Sequence, residues 1–573
     1  MYFTIQVNNK KIKAEKGETI LSALSRNGII IPTLCRMQDF TPTGACRMCV
    51  VEVEGYDRLV TACSQPVEEW MKIKTHSPRV INARKTIVEL LLSNHPDDCL
   101  YCDLNMKCEL QRLAEELNIR ERRIRSRKIK PKLDQSGPAI VRELSKCILC
   151  GRCVRVCEEV ITATSIDFIN KGRLTHVGTA MDRDLNFSSC INCGQCLQVC
   201  PTAALHEKHS ITEVQEYLNK HDMLKVIQYS PVIPVAIAEE LGIRYTNGFD
   251  RVLNAVLRKI GFDKVFKTGT GTDIYISELT DQLLESIDNK ADKSIYITAC
   301  PAWVKYVEQF MPGIIPRLST LKSSQQITGV LVKTLIAGHE SVKPEKIFSV
   351  SATPCTAMKF EARRNGMMRK GISDVDVVLT AKELARLVTL YGIDLTGNEQ
   401  EPADEPMEGR SSASALTEVS GGLTESVIRT AWFRILKKEP GKELYKKFRT
   451  GNSFREAQFN IGEKEINVAI VDGLKGLEIL NKSQEEGKKY DLVEVMVCPG
   501  GCVNGAGLPG KGDKEKIRNR AKMIYQADES DAVTIPDKSP VLINLYEKLI
   551  KGNKDIADKK VFHTHFEKRD VML

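Results

Sequence analysis

Apolar and polar residues alternate strictly at the start of the chain, with Phe3, Ile5 and Val7 on one face. An Asn8-Asn9 turn leads into a second short run, so the period-2 pattern predicts a pair of strands. Thr19-Ile20-Leu21-Ser22-Ala23-Leu24 predicts a helix, Val50-Val51-Glu52-Val53 a further strand, and residues 84 to about 118 read as helical. From about residue 210 short apolar runs alternate with helical segments. The runs are Val226–Tyr229, Ile295–Ile297, Ile347–Val350, Val375–Leu379, Val468–Val471 and Leu492–Val497, and Ala381–Leu390 is one of the helices. Such alternation predicts an α/β fold with parallel sheets. An acidic, Pro-containing loop interrupts it at 397–406, and from about 526 the chain is polar and helical.

Three of the runs lead into cysteine. Ser294–Ala299 runs into Cys300-Pro301, Ile347–Ala352 into Thr353-Pro354-Cys355, and Leu492–Val497 into Cys498-Pro499-Gly500-Gly501-Cys502. In an open parallel sheet, ligands gather beyond the carboxyl ends of the strands. The glycines of the last loop let backbone approach closely and aim N–H groups at anionic sulfur. Four thiolates converging there would make a four-cysteine cluster site, with the upstream chain built to move electrons to it.

Composition narrows the picture. A chain of 573 residues with 42% hydrophobic content has room for several domains, each with a core. The net charge of +9 suggests acidic protein partners; there is no nucleic-acid motif, so no nucleic-acid partner is expected. Met1-Tyr2-Phe3-Thr4-Ile5-Gln6-Val7 lacks the plan of a signal peptide, and no apolar run is long enough for a membrane span. A cytoplasmic location is expected. The nineteen cysteines are odd in number and spaced C-x2-C, which favours metal ligation over a disulfide scaffold.

Every cysteine falls into a ligand-like group. Cys35, Cys46, Cys49 and Cys63 form the first, for which iron is favoured by the neighbouring motifs and zinc is the alternative. Cys99, Cys102 and Cys108 need a fourth ligand, and His95 stands four residues ahead of the first; a zinc knuckle is again the alternative. Cys147, Cys150, Cys153 and Cys157 and then Cys190, Cys193, Cys196 and Cys200 are the paired runs of a bacterial two-cluster ferredoxin. There the fourth Cys of each run serves the other cluster, which gives Cys147, Cys150, Cys153 and Cys200 for one and Cys157, Cys190, Cys193 and Cys196 for the other. Between these groups lies a basic run of Arg120, Arg122, Arg123, Arg125, Arg127, Lys128, Lys130 and Lys132, read as a solvated linker or a docking patch for an acidic electron carrier. The pair His563 and His565 reads as packing or surface.

With the three cysteine loops, the chain resembles an iron-only ([FeFe]) hydrogenase from end to end. The first group resembles the [2Fe–2S] domain at the front of these enzymes and of the large iron–sulfur subunit of respiratory complex I, and His95 matches their His-ligated [4Fe–4S] site. The tail resembles the segment that some of these enzymes carry as a separate small subunit. The resemblance implies a [4Fe–4S] cluster on Cys300, Cys355, Cys498 and Cys502, with Cys502 bridging to a two-iron carbonyl and cyanide unit inserted by maturation enzymes. Gln325, Gly421 and Gly422 match family positions at the cofactor. The expected fold is multidomain α+β and α/β: a β-grasp [2Fe–2S] domain over 1–78, a domain with one His and three Cys ligands and the basic linker over 79–137, a two-cluster ferredoxin domain over 138–209, an α/β catalytic domain with parallel sheets over 210–525, and a small-subunit-like segment over 526–573.

The departures from the family are chemical. The proton-passing Cys of the first loop is Ala299, the cyanide-anchoring Lys of the second is Met358, and the usual Met two before Cys355 is Thr353. Two glutamates of the family's proton route fall at Leu279 and Gln282, while Ser319 is retained, a surface position being its simplest alternative. Glu278 and Asp281 could serve a rerouted path or lie on a solvent face. No catalytic residue is therefore assigned. The favoured reading is a slow, biased or sensory hydrogenase. The alternative is an electron-transfer subunit with a plain [4Fe–4S] cluster acting on another substrate, and a purely structural role ranks last. Electrons are expected from a ferredoxin or a flavin-bearing partner subunit. No Gly-rich nucleotide fingerprint is evident, so direct flavin or nicotinamide binding needs a partner chain.

Overall fold

The computed structural model describes residues 2–121, 123–124, 133–290, 293–396, 399–449, 451–510, 512–550 and 559–570, without the side chains of 548–550. Of the basic run, Arg122, Arg125, Arg127, Lys128, Lys130 and Lys132 lie outside these residues, as do Gly397 and Asn398 of the acidic loop. Arg123 is not a free docking charge: its Nε and Nη2 donate to the Glu89 carboxylate at 2.8 and 2.7 Å.

The first segment is a five-stranded sheet in the order 10–15, 2–7, 72–74, 50–53, 60–61. Strand Tyr2–Val7 pairs antiparallel with Lys10–Glu15 and parallel with Lys72–Lys74. Both turn residues take positive φ, 45° at Asn8 and 67° at Asn9, which asparagine tolerates better than most residues. Thr19 caps the helix Ile20–Arg26, accepting from the Ser22 N–H at 3.2 Å. The helical stretch expected near 84 to 118 divides into Pro78–Asn94, a short turn at Cys99–Tyr101, and Glu109–Glu116. Next comes a three-stranded sheet, Leu205–Glu207 beside Ile140–Glu143 beside Leu133–Asp134, with short helices at Arg152–Glu159 and Gln195–Val199.

The larger C-terminal part carries two four-stranded sheets. One is wholly parallel, in the order Lys264–Lys267, Leu224–Tyr229, Ile347–Thr353, Val377–Thr380. The other runs Ile295–Tyr296, Leu492–Met496, Lys464–Asp472, Phe454–Ile461; its first three strands are parallel and the last is antiparallel. One apolar core joins the two sheets through the helices Gly269–Asp288, Ser324–Leu331 and Gly422–Leu436. The strand expected at Val375–Leu379 begins only at Val377. Asp376 is diverted, its carboxylate accepting from the Ser349 N–H and the Lys333 ammonium, both at 2.7 Å. Among the described residues no helix is long and apolar enough to cross a membrane.

The C-terminal segment is fastened by a buried ionic knot. A helix runs unbroken over Lys514–Ser530, through residue 525, and brings Asp528 against helix Gly422–Leu436. Arg429 donates to both Asp528 oxygens at 2.9 and 2.8 Å, Arg449 bridges Asp528 and Glu425, and Ser412 donates to Asp528 at 2.6 Å. Without Asp528, the Arg429 and Arg449 guanidiniums are left sharing the single carboxylate of Glu425 in a buried site. Asp528→Ala is therefore expected to cost about 3–5 kcal/mol, read as a lowered unfolding temperature and faster protease cleavage around helix 514–530. An unchanged melting curve would contradict this account of how the tail is held.

Candidate metal centres

The carboxyl ends of the two C-terminal sheets supply four thiols. Cys355 stands two residues past strand Ile347–Thr353, and Cys498 two past Leu492–Met496, with Cys300 and Cys502 on the loops beside them. Gly501 makes the last loop possible. Its φ is 92°, and a Cβ there would lie 2.6 Å from the Ser420 nitrogen and 2.8 Å from the Val419 carbonyl carbon. Backbone N–H groups point at sulfur, from Ala302, Trp303 and Val497 to Cys300 and from Ala357 and Met358 to Cys355.

The charged groups acting most strongly on these thiols are all acidic. Burial pushes Cys498 up to about 12, with the charge of Cys300 adding and the Gln195 amide opposing. Burial likewise raises Cys300, Cys355 and Cys502, and the charges acting on the set are other thiolates and the carboxylates Glu361, Glu418 and Asp472. A thiolate set without a neighbouring cation is stable only if a metal supplies the positive charge. The donor set therefore fits a metal cluster.

Against Cys502 opens a cavity walled by Ala299, Met358, Thr353, Gln325 and Glu418. Gln325 donates from Nε2 to Glu361 at 3.2 Å, while its Oε1 is buried without a hydrogen-bond partner. Lys359 turns away from the cavity. Its ammonium pairs with Glu383 at 2.7 Å and donates to the Lys208 carbonyl at 2.6 Å. Gly421 and Gly422 do not line the cavity. The first has φ 85°, and a Cβ on the second would lie 1.8 Å from the Leu416 oxygen, so both serve close packing at a helix start.

Other expected groups change character. Ser319 is buried, 3% exposed, and donates to the Gln282 Oε1 at 2.9 Å, which corrects the surface alternative. Glu278 is buried too, accepting from Tyr546 at 2.5 Å and pairing with Lys559 at 2.7 Å, whereas Asp281 is half-exposed and pairs with Arg434. His563 docks on Thr320 at 2.7 Å, and His565 is exposed.

Glu418 went unnoticed in the sequence and is the carboxyl group of the cavity wall. Burial raises it to about 7, its Oε2 has no hydrogen-bond partner, and Ser230 is the polar side chain nearest to it in effect. Its signal was a lone acid in the otherwise uncharged stretch 413–423, three residues before the glycine pair.

Upstream thiols gather in the same manner. One small cavity is walled by Cys157, Cys190, Cys193 and Cys196, and a second by Cys147, Cys150, Cys153 and Cys200. Beside the first sheet the Cys46 thiol pulls Cys35 down to about 5 and Cys49 pulls Cys63 to about 7, and Cys63 also feels the charge of Cys35, so the two pairs lie close together. Cys102 feels the charge of Cys108, and its N–H bonds the Cys99 carbonyl at 3.1 Å. His95 is buried nearby in sequence, with Nδ1 3.1 Å from the Pro96 carbonyl. A carbonyl only accepts, so Nδ1 carries the proton and Nε2 the lone pair, the tautomer a metal ligand needs.

The two-cluster segment is locked onto the terminal site. Gln195 donates to the Cys498 sulfur at 3.1 Å and to the Asn504 carbonyl at 2.8 Å. Gly194 comes so close that a Cβ would meet Thr356 Oγ1 at 2.4 Å, and Thr356 itself donates to the Asn192 carbonyl at 2.8 Å.

Known proteins share this plan. Residues 224–506 match the iron only hydrogenase large subunit, C-terminal domain, and 514–569 the iron hydrogenase small subunit. Residues 2–78 match a 2Fe-2S iron-sulfur cluster binding domain, 84–123 the NADH-ubiquinone oxidoreductase-G iron-sulfur binding region, and 146–204 a 4Fe-4S dicluster domain. The chain is 35% identical to the NADP-reducing hydrogenase subunit HndD of Solidesulfovibrio fructosivorans, over 99% of both chains. It is 32% identical to iron hydrogenase 1 of Clostridium pasteurianum, over 99% of this chain and 100% of that one. The apo [FeFe]-hydrogenase HydA1 from Chlamydomonas reinhardtii, as a variant, superposes with a TM-score of 0.55 at 25% identity, over 63% of this chain and 99% of its own.

Gly501→Ala is expected to empty the terminal site alone, because the added methyl collides with backbone at 419–420. Iron per chain should fall while the electron paramagnetic resonance signals of the upstream clusters persist. Unchanged iron content and an intact terminal signal would contradict the steric argument.

Proposed function

The chain belongs to the iron-only hydrogenase family, and on that premise we propose that it interconverts H2 and protons slowly, with a directional bias or in a sensing role. It is a hydrogenase-type iron–sulfur oxidoreductase with an internal electron relay. The observation that carries the finer reading is the pairing of a complete four-thiol terminal set with a cavity whose proton-handling groups differ from the family's. The proposed cofactors are one [2Fe–2S] cluster on Cys35, Cys46, Cys49 and Cys63, three accessory [4Fe–4S] clusters, and a terminal [4Fe–4S] cluster on Cys300, Cys355, Cys498 and Cys502 carrying a two-iron unit through Cys502. The first sheet, crossed by helix Ile20–Arg26, supports a β-grasp reading of residues 1–78.

When bound, the clusters supply one-electron carriers and the two-iron unit supplies the metal centre for hydrogen chemistry. The residues of the chain do the rest. Gln195 ties the two-cluster segment to Cys498 and holds the last gap in the relay short. Ala299 and Met358 present a methyl and a thioether to the cavity, neither of which can pass a proton. Behind Ala299, Ser319 ends on the Gln282 amide, which does not titrate near neutral pH. Glu418 Oε2 is the position in the wall where a proton can be held. The proposed partners are a flavin-bearing redox subunit or a ferredoxin, together with maturation enzymes; similarity to a subunit of an NADP-reducing hydrogenase supports a redox partner subunit. A cytoplasmic location fits such partners.

The test is H2 uptake and evolution by matured protein, with electron paramagnetic resonance reporting the upstream clusters. Weak but real turnover is expected, with H2 reducing the accessory clusters; clusters that stay oxidised under H2 would sink the reading. Glu418→Gln should lower turnover by about 10²-fold or more, the usual scale of a lost acid–base group. Ala299→Cys alone should change it only a few-fold, because its route still ends on Gln282. A large gain from Ala299→Cys with no loss from Glu418→Gln would show that the proton path runs past position 299.

A further inference from the structure

A cleft of about 480 Å³ opens where three parts of the chain meet: the two-cluster segment near Ser188, the helix Pro301–Phe310 with the turn after Phe360, and the C-terminal strap at Arg569. Its walls are cationic. Lys305, Arg363, Arg364 and Arg569 line it, with Asp570 as the carboxylate among the lining residues. Arg364 and Arg569 share a single buried carboxylate behind the wall, Glu308, at 2.9 Å from Arg364 Nη1 and 2.7 Å from Arg569 Nε. Lys305 and Arg363 make no hydrogen bond from the side chain and no ion pair among the described residues. Among the described residues, four cations thus face two carboxylates, with the Cys190 thiol as a further acidic group acting on Lys305.

Lys305 is the least comfortable of the four. It is 3% exposed, and its ammonium rests 4.5 Å from the centroid of the Phe360 ring. The guanidinium carbons of Arg569 and Arg364 stand over the same ring at 5.2 and 5.6 Å. Cation–π contact offsets only a small part of the cost of burying an ammonium, and three cations around one ring repel each other. Burial lowers Lys305 to about 8, so the ammonium remains the main form at neutral pH, and the negative group acting on it most strongly is Cys190. The Lys305 ammonium makes no hydrogen bond or ion pair among the described residues, and the cleft is where an anion can reach it.

We infer that this cleft binds a phosphate-class dianion, free or as the terminal group of a larger molecule, held by Lys305 and Arg363 with Arg364 and Arg569 behind. An anion with two charges is drawn to a lining in which cations outnumber carboxylates, and guanidinium groups suit its oxygens. Occupation places negative charge beside the Cys157, Cys190, Cys193 and Cys196 group. On the reading that this group holds a [4Fe–4S] cluster, anion binding lowers the potential of that cluster and makes the cleft a control point in the relay.

The test is calorimetric titration of inorganic phosphate into the iron-loaded full chain at constant ionic strength. One saturable site is expected, with affinity reduced about tenfold or more in Arg363→Ala and in Lys305→Met, the scale of a lost charge-assisted hydrogen bond. Arg363 is exposed, so its variant keeps the fold whether or not Lys305→Met does. No saturable heat, or equal binding by wild type and Arg363→Ala, would overturn the site. A redox titration with saturating phosphate then tests the coupling separately. One [4Fe–4S] signal should move to lower potential; unmoved signals with phosphate bound would overturn the control role.

Discussion

Everything in the C-terminal half answers to one electrostatic constraint, the burial of four thiols among carboxylates. The charged groups acting most strongly on Cys300, Cys355, Cys498 and Cys502 are one another and Glu361, Glu418 and Asp472. Left as thiols they would fill the meeting point of two sheets with poorly packed, poorly solvated sulfur; as thiolates they would repel. A multi-iron cluster resolves both problems. The surrounding chain is shaped to hold it: strand ends that stop short, consecutive left-handed glycines at 500 and 501, and N–H groups turned onto sulfur. The two-cluster segment then has to dock closely, and Gly194 and Gln195 let it do so.

Much of this was legible in the sequence because cysteine ligation and strand period are local signals. The helix at Ala381–Leu390 and the strand at Val50–Val53 fall where their patterns place them. Strand Lys264–Lys267 escaped notice because its two apolar residues are flanked by lysines. The strand Phe454–Ile461 did so because it is an edge strand, half-exposed along much of its length. The site was legible only as far as its sulfurs. Nothing in linear spacing says that Ser319 meets Gln282, that Glu278 is taken by Tyr546, or that Glu418 faces Cys502 across a cavity. Those are contacts between residues far apart in the chain, set by how the two sheets pack on their shared helices. Gly421 and Gly422 match family positions at the cofactor, while in the fold they pack closely against residues 416, 419, 448, 455 and 470.

The altered residues share a chemical logic. Ala299 and Met358 give the cavity wall no titratable group, Gln282 gives none at Ser319, and Glu418 supplies a carboxyl to the wall. Hydroxyl groups of Ser230, Thr268, Thr272 and Thr417 line the cavity near this carboxyl. A chain that had lost its function would have no reason to keep all four sulfurs and the Gln195 bridge while remaking the wall so consistently. On the proposed reading, the electron path of a hydrogenase is kept and its proton path is rebuilt.

The central claim is that the terminal site carries a two-iron unit within this remade cavity. The infrared spectrum of protein produced with the maturation enzymes tests it most directly. Carbonyl and cyanide stretching bands, shifted in frequency from those of enzymes with a Lys at the Met358 position, are the predicted result. A spectrum with no such bands, from protein rich in iron–sulfur signals, would mean a plain cluster at Cys502 and would contradict the account.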